Sequence, residues 1–83
     1  MAFPEGCDIE KLGEVALGLL FLTIHGGPSG PRAWKGLDWS VLNLLYEKGW
    51  ISDPRSKAKS VALTEDGERL AESFFAKHFR EGV

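Results

Sequence analysis

The chain has 83 residues, room for one domain and a core of modest depth. Its apolar and charged fractions, 43% and 27%, exclude a disordered chain, and a net charge of −2 argues against a strong general affinity for nucleic acid. The single Cys7 excludes an internal disulfide and a cysteine zinc cluster, so a reducing, cytoplasmic setting is expected.

The longest apolar run, Val15 to Ile24, is far shorter than the roughly 20 residues that span a bilayer, so no membrane partner is expected. Glu5, Asp8, Glu10 and Glu14 stand where a secretory leader would be basic, and no leader is expected. Charge is unevenly spread. Residues 1–31 carry one base against four acids, residues 32–59 six against three, and residues 60–83 three against five. A basic middle between acidic ends points to an anionic contact there, or to a solvated turn.

Residues 1–7 read as an N-terminal tail. "DIEKLGEVALGLLFLTIH" then reads as the first helix, with Asp8 as N-cap and Glu10 in the first turn. Ile9, Leu12, Val15, Ala16, Leu19 and Leu20 fall on one face, and Phe21, Leu22 and Ile24 make a second apolar face near its end. Four glycines and two prolines over residues 26–36 then predict a connecting loop, with "AWKG" as a single turn.

Asp38 caps the second helix, "DWSVLNLLYEKG", which faces inward through Trp39, Leu42, Leu45 and Tyr46 and stops at Gly49. Trp50 and Ile51 read as a short strand, "SDPRSKAK" as a turn and "SVALT" as its return strand. Thr64 caps a last helix whose apolar stripe is Leu70, Ala71, Phe74, Phe75 and Phe79. The expected architecture is α+β: a single small winged-helix-like domain over residues 1–83, with three main helices and a two-stranded hairpin as the wing.

"LNLLYEKGWI" followed by "LTEDG" resembles the "LxxLxxKGLI…LTxxG" stretch of winged-helix transcription regulators of the MarR and PadR type, over roughly residues 38–70. Over a longer span, "AWKGLDW" and "LYEKGWISDPRSKAKSVALTEDG" are similar to a family of small bacterial proteins carrying a domain of unknown function, from residue 9 to residue 79. The regulator resemblance implies double-stranded DNA as a weak, salt-dependent partner. The helix from Asp38 to Lys48 would lie at the recognition position, Ser40 near the bases, and Arg55, Lys57 and Lys59 on the wing. Lys48, Lys35 and Arg32 are the further cations that this reading gathers. The sequence departs from the regulators in lacking a separate helix before the recognition helix; the Gly/Pro stretch stands there instead.

The alternative is a protein-interaction module or homodimer that uses the apolar faces of the first and last helices, with Trp34, Phe74, Phe75 and Phe79 on the contact face. Trp34, Trp39 and Trp50 lie within seventeen residues and read mainly as core and rim, Trp34 being the one expected to stay exposed. Cys7, His25 and His78 are too scattered for a metal site. "HGG" has no nucleophile elbow with it, and the glycines have no Lys-Ser/Thr after them for a phosphate loop. "PSGPR" fits a proline-recognition ligand but reads as plain loop. No catalytic set assembles, so neither an enzyme nor a cofactor is expected.

Overall fold

The computed structural model describes residues 3–27 and 30–81. The order is α1 (Ile9–Phe21), β1 (His25–Gly27), β2 (Gly30–Trp34), α2 (Trp39–Glu47), β3 (Ser60–Ala62) and α3 (Glu65–Phe79). The strands form one antiparallel sheet in the order β1-β2-β3. Three helices and this small sheet make an α+β domain of winged-helix-like arrangement.

Each helix starts where a short polar side chain can accept a free backbone N–H. Asp8 accepts from the N–H of Lys11 at 3.0 Å, Asp38 from Ser40 at 3.0 Å and Thr64 from Gly67 at 2.9 Å. α2 stops at Gly49, whose φ of +79° few other residues adopt. The N–H of Gly49 bonds to the carbonyl of Tyr46 at 3.0 Å, and that of Trp50 to Leu45 at 3.1 Å. This is the Schellman closure of a helix end.

The same residues join the two halves of the "EKGWI…LTEDG" stretch. The Thr64 hydroxyl donates to the carbonyl of Gly49 at 2.7 Å, and the Thr64 N–H to that of Trp50 at 3.1 Å. Gly67 then lies against the Trp50 carbonyl so closely that a Cβ would overlap its oxygen. Glycine is required there for packing: the start of α3 rests on the backbone that leaves α2.

The expected hairpin is present, but short. Ile51 bridges Leu63, and the Ser52 N–H donates to the carbonyl of Ala62 at 2.8 Å. The main ladder of β3 lies on its other edge, where Arg32, Ala33 and Trp34 pair with Ala62, Val61 and Ser60. The loop expected at 26–36 is therefore largely strand, and the sheet has three strands rather than two. The single turn expected at "AWKG" is replaced by the end of β2. β3 supplies the partner from across the chain, which overrides the local signal of the glycines and prolines. Pro31 still limits the pairing. Its carbonyl accepts from Leu63 at 3.1 Å, but it has no N–H to return, and the ladder begins one residue later. Pro28 and Ser29 of the "PSGPR" stretch lie outside the described residues.

α1 ends at Phe21, four residues earlier than its apolar pattern suggests, because His25 pairs with Arg32 in the sheet. The Thr23 hydroxyl donates to the carbonyl of Leu20 and accepts from the N–H of Trp34, both at 3.1 Å, tying the helix end to β2. α1 and α3 run antiparallel, Glu14 against His78 and Gly18 against Phe75. Residues 13, 16, 17 and 20 are the inward row of α1, since its glycines admit α3 and the side chain of Lys48. Leu17 is accordingly buried, and Leu19, expected inside, points outward.

The core comprises Ala16, Leu17, Leu20, Ala33, Leu42, Leu45, Ile51, Val61, Leu63 and Ala71. Trp39 and Tyr46, expected on the inner face of α2, are exposed instead.

Candidate functional site

The turn between Ile51 and β3 was the expected basic wing, and two of its four charged side chains, Asp53 and Arg55, are engaged within the fold. Asp53 opens it by accepting the N–H of Arg55 at 2.9 Å. The Arg55 guanidinium holds the same carboxylate through Nε at 2.9 Å and Nη2 at 2.7 Å. That side-chain bond, helped by the backbone N–H, lowers the Asp53 pKa to about 2 and raises that of Arg55. Pro54 is buried beneath. Lys35 reaches up from the end of β2 and donates through Nζ to the carbonyls of Pro54 at 2.7 Å and Ser56 at 2.6 Å.

The other expected cations divide. Arg32 donates from Nε to the Ser60 hydroxyl at 2.7 Å and from Nη2 to the Ser60 carbonyl at 2.8 Å. Lys48 pairs with Glu10 at 2.8 Å while lying 5.3 Å from the centre of the Trp50 ring. Of the cations gathered by the DNA reading, Lys57 and Lys59 are the two whose side chains are exposed without an internal partner. Ser40 stands at the start of α2, where Asp38 is taken up as the cap. Asn43 and Glu47 share the outer face of the helix, 3.5 Å apart.

The expected apolar face divides as well. Phe74 packs on Trp50 with ring centres 5.5 Å apart. Phe75 lies between Phe21 at 5.2 Å and Phe79 at 5.7 Å. The surplus apolar surfaces of α1 and α3 thus cover one another, leaving Phe79 at the edge. Beside this seam the Glu14 carboxylate accepts from Lys77 at 2.8 Å and meets His78 at 2.9 Å. The bond from Lys77, then that from His78, lowers the Glu14 pKa.

Trp34 is the most exposed member of that set, at 61%. Its ring lies over Gly36, where a side chain would collide with it. Leu19 and Leu22, one helical turn apart at the end of α1, are 40% and 65% exposed. Leu19, Leu20, Thr23, Trp34, Gly36 and Leu37 line a depression of about 110 Å³ that contains no ionisable side chain. Sequence reasoning found Trp34 but placed Leu19 inside. The signal was present in the second apolar face of Phe21, Leu22 and Ile24; the glycines of α1 were the missing clue.

Among the described residues no group of three or more His, Cys, Asp or Glu side chains could hold a metal ion. No described helix is long and apolar enough to cross a membrane.

Fold and surface together define a small winged-helix-like α+β domain with an exposed, uncharged apolar face and a tightly braced basic turn. The chain belongs to the family described as "Domain of unknown function (DUF6429)", which it matches over residues 8–81. It is similar to the "Uncharacterized protein y4hR" of Sinorhizobium fredii (strain NBRC 101917 / NGR234), 42% identical over 72 residues that cover 87% of this chain and 93% of that one. No solved structure is a significant match.

Proposed function

We propose that this domain is a non-enzymatic protein-interaction module whose contact face is formed by Leu19, Leu22 and Trp34, and that the face meets a second copy of the chain. The observation that carries this reading is the exposure of Leu19 and Trp34 around a depression without charge, with the exposed Leu22 one helical turn beyond Leu19. Such a face selects neither an acidic nor a basic partner. It selects another apolar surface, and an identical copy brings one in closed two-fold symmetry. A domain of this size has a thin core and gains from added burial. These few side chains fall well short of the roughly 800 Å² that each partner buries in a standard interface, so the association is weak and concentration-dependent.

Sedimentation velocity over a wide concentration range tests it. Wild type should shift toward dimer with concentration, and Leu22→Glu, at a site already 65% exposed, should stay monomeric with unchanged circular dichroism. A wild type that remains monomeric throughout removes the reading.

A second reading, DNA binding through the turn, rests on the exposed Lys57 and Lys59. Arg32, Lys35, Lys48 and Arg55 already have internal partners, and the overall charge is −2. Two free lysines imply a log–log salt slope of only about −2. Fluorescence anisotropy with a labelled duplex would give that slope, lost when both lysines become Ala. Absence of binding at low salt would dismiss it.

A further inference from the structure

The outer face of α2 carries Trp39, Ser40, Asn43, Leu44 and Glu47, which together with Phe3 line a depression of about 180 Å³. Phe3 is the anchor of its segment. Pro4, Glu5 and Gly6 are exposed, whereas Phe3 is half-buried. The segment reaches α2 because the chain reverses just before α1. The N–H of Cys7 donates to the carbonyl of Pro4 at 3.1 Å, and Gly6, with φ of +83°, stands where a type II turn needs a positive φ. Asp8 follows at once as the cap of α1. The turn is thus fixed at one end by a helix cap, and at its other end the half-buried Phe3 lines a depression with a different helix.

We infer that Phe3–Cys7 is a partial intramolecular cover over the outer face of α2, and that Phe3 shields part of the Trp39 and Leu44 surface from other molecules. The occupant of this face is therefore the chain's own segment, whose Phe3 lines one depression with the indole of Trp39 and the side chain of Leu44. The cover is partial. Trp39 is 53% exposed with Phe3 in place, and Tyr46 on the same helix is also exposed. Without Phe3 more of the Trp39 and Leu44 side chains is exposed, beside Ser40, Asn43 and Glu47, and exposed apolar surface of that kind favours association. The cover is held by one ring and one glycine turn, so it is readily displaced. This inference does not depend on the Leu19, Leu22 and Trp34 face.

The test uses full-length protein carrying Leu22→Glu, so that association through the other face is absent. Phe3→Ala and, separately, Gly6→Val are added to it. Gly6→Val strains the turn without touching α2, because a β-branched residue does not tolerate that φ. Both variants should bind the dye anilinonaphthalene sulfonate several-fold more brightly than Leu22→Glu alone and sediment faster as concentration rises, with unchanged helical circular dichroism. Adding Trp39→Ala to the Phe3→Ala protein should return the dye signal to background. The inference is overturned if both variants match Leu22→Glu in dye binding and sedimentation. It is equally overturned if the dye signal persists after Trp39→Ala.

Discussion

Gly67→Ala is the substitution on which the packing argument makes its sharpest claim, because two effects of opposite sign meet at one atom. In an open helix, replacing Gly by Ala stabilises by about 1 kcal/mol. Gly67 lies in the first turn of α3, but a Cβ there would overlap the carbonyl oxygen of Trp50. The obstacle is backbone, so it cannot rotate away; α3 must lift or the chain after α2 must shift. Overpacking of that kind costs about 3 kcal/mol at the upper end of its usual range. Lifting α3 also stretches the bonds through which Thr64 engages Trp50 at 3.1 Å and Gly67 at 2.9 Å, for about 1 kcal/mol more.

The net loss is then about 3 kcal/mol, from a domain whose total stability at this length is about 4–12 kcal/mol. Thermal unfolding followed by circular dichroism should show a midpoint lower by at least 12 °C, at about 4–8 °C per kcal/mol. Urea unfolding should give a lower midpoint at unchanged slope. An Ala variant as stable as wild type, or more stable, would refute the reasoning, since only helix propensity would then be acting.

Leu45→Ala removes a fully buried side chain from the centre of the core and should cost about 2–5 kcal/mol in urea unfolding. Lys35→Ala should speed amide exchange around Ser56 while leaving the helices protected, because the Lys35 ammonium bonds two carbonyls of that turn. Carboxyl chemical shifts should show Asp53 titrating at about 2, and in Arg55→Ala moving back toward its ordinary 3.8. The folded value lies below the unfolded one, so the Asp53–Arg55 pair favours the fold above about pH 4, and that contribution is lost as pH falls from about 4 through about 2.

Helices, caps and the stop at Gly49 were legible in the sequence because they depend on neighbours within one turn. Asp8, Asp38 and Thr64 each bond an N–H two or three residues on, and Gly49 closes its own helix. The short Ile51–Leu63 hairpin was legible for the same local reason. What depended on distant partners was not. Residues 26–36 read as loop because glycine and proline disfavour strands on their own; β2 is a strand because it lies between β1 and β3, the latter far along the chain. The apolar pattern of α1 placed Leu19 inside because it counted glycine as no signal, whereas in three dimensions Gly18 admits the backbone of α3 and leaves Leu17 inside.

The candidate site followed the same division. The composition of the turn at 53–59 is written in the sequence, but whether each charge is free is set by geometry. Lys35 and Arg55 became braces, Lys57 and Lys59 stayed free, and Trp34 became part of a face only when the end of α1 was tied against β2. Local sequence sets which segments coil and where they end, since capping and backbone conformation are short-range. Which side chains reach solvent is a property of the assembled surface, decided by the contacts between segments far apart in the chain.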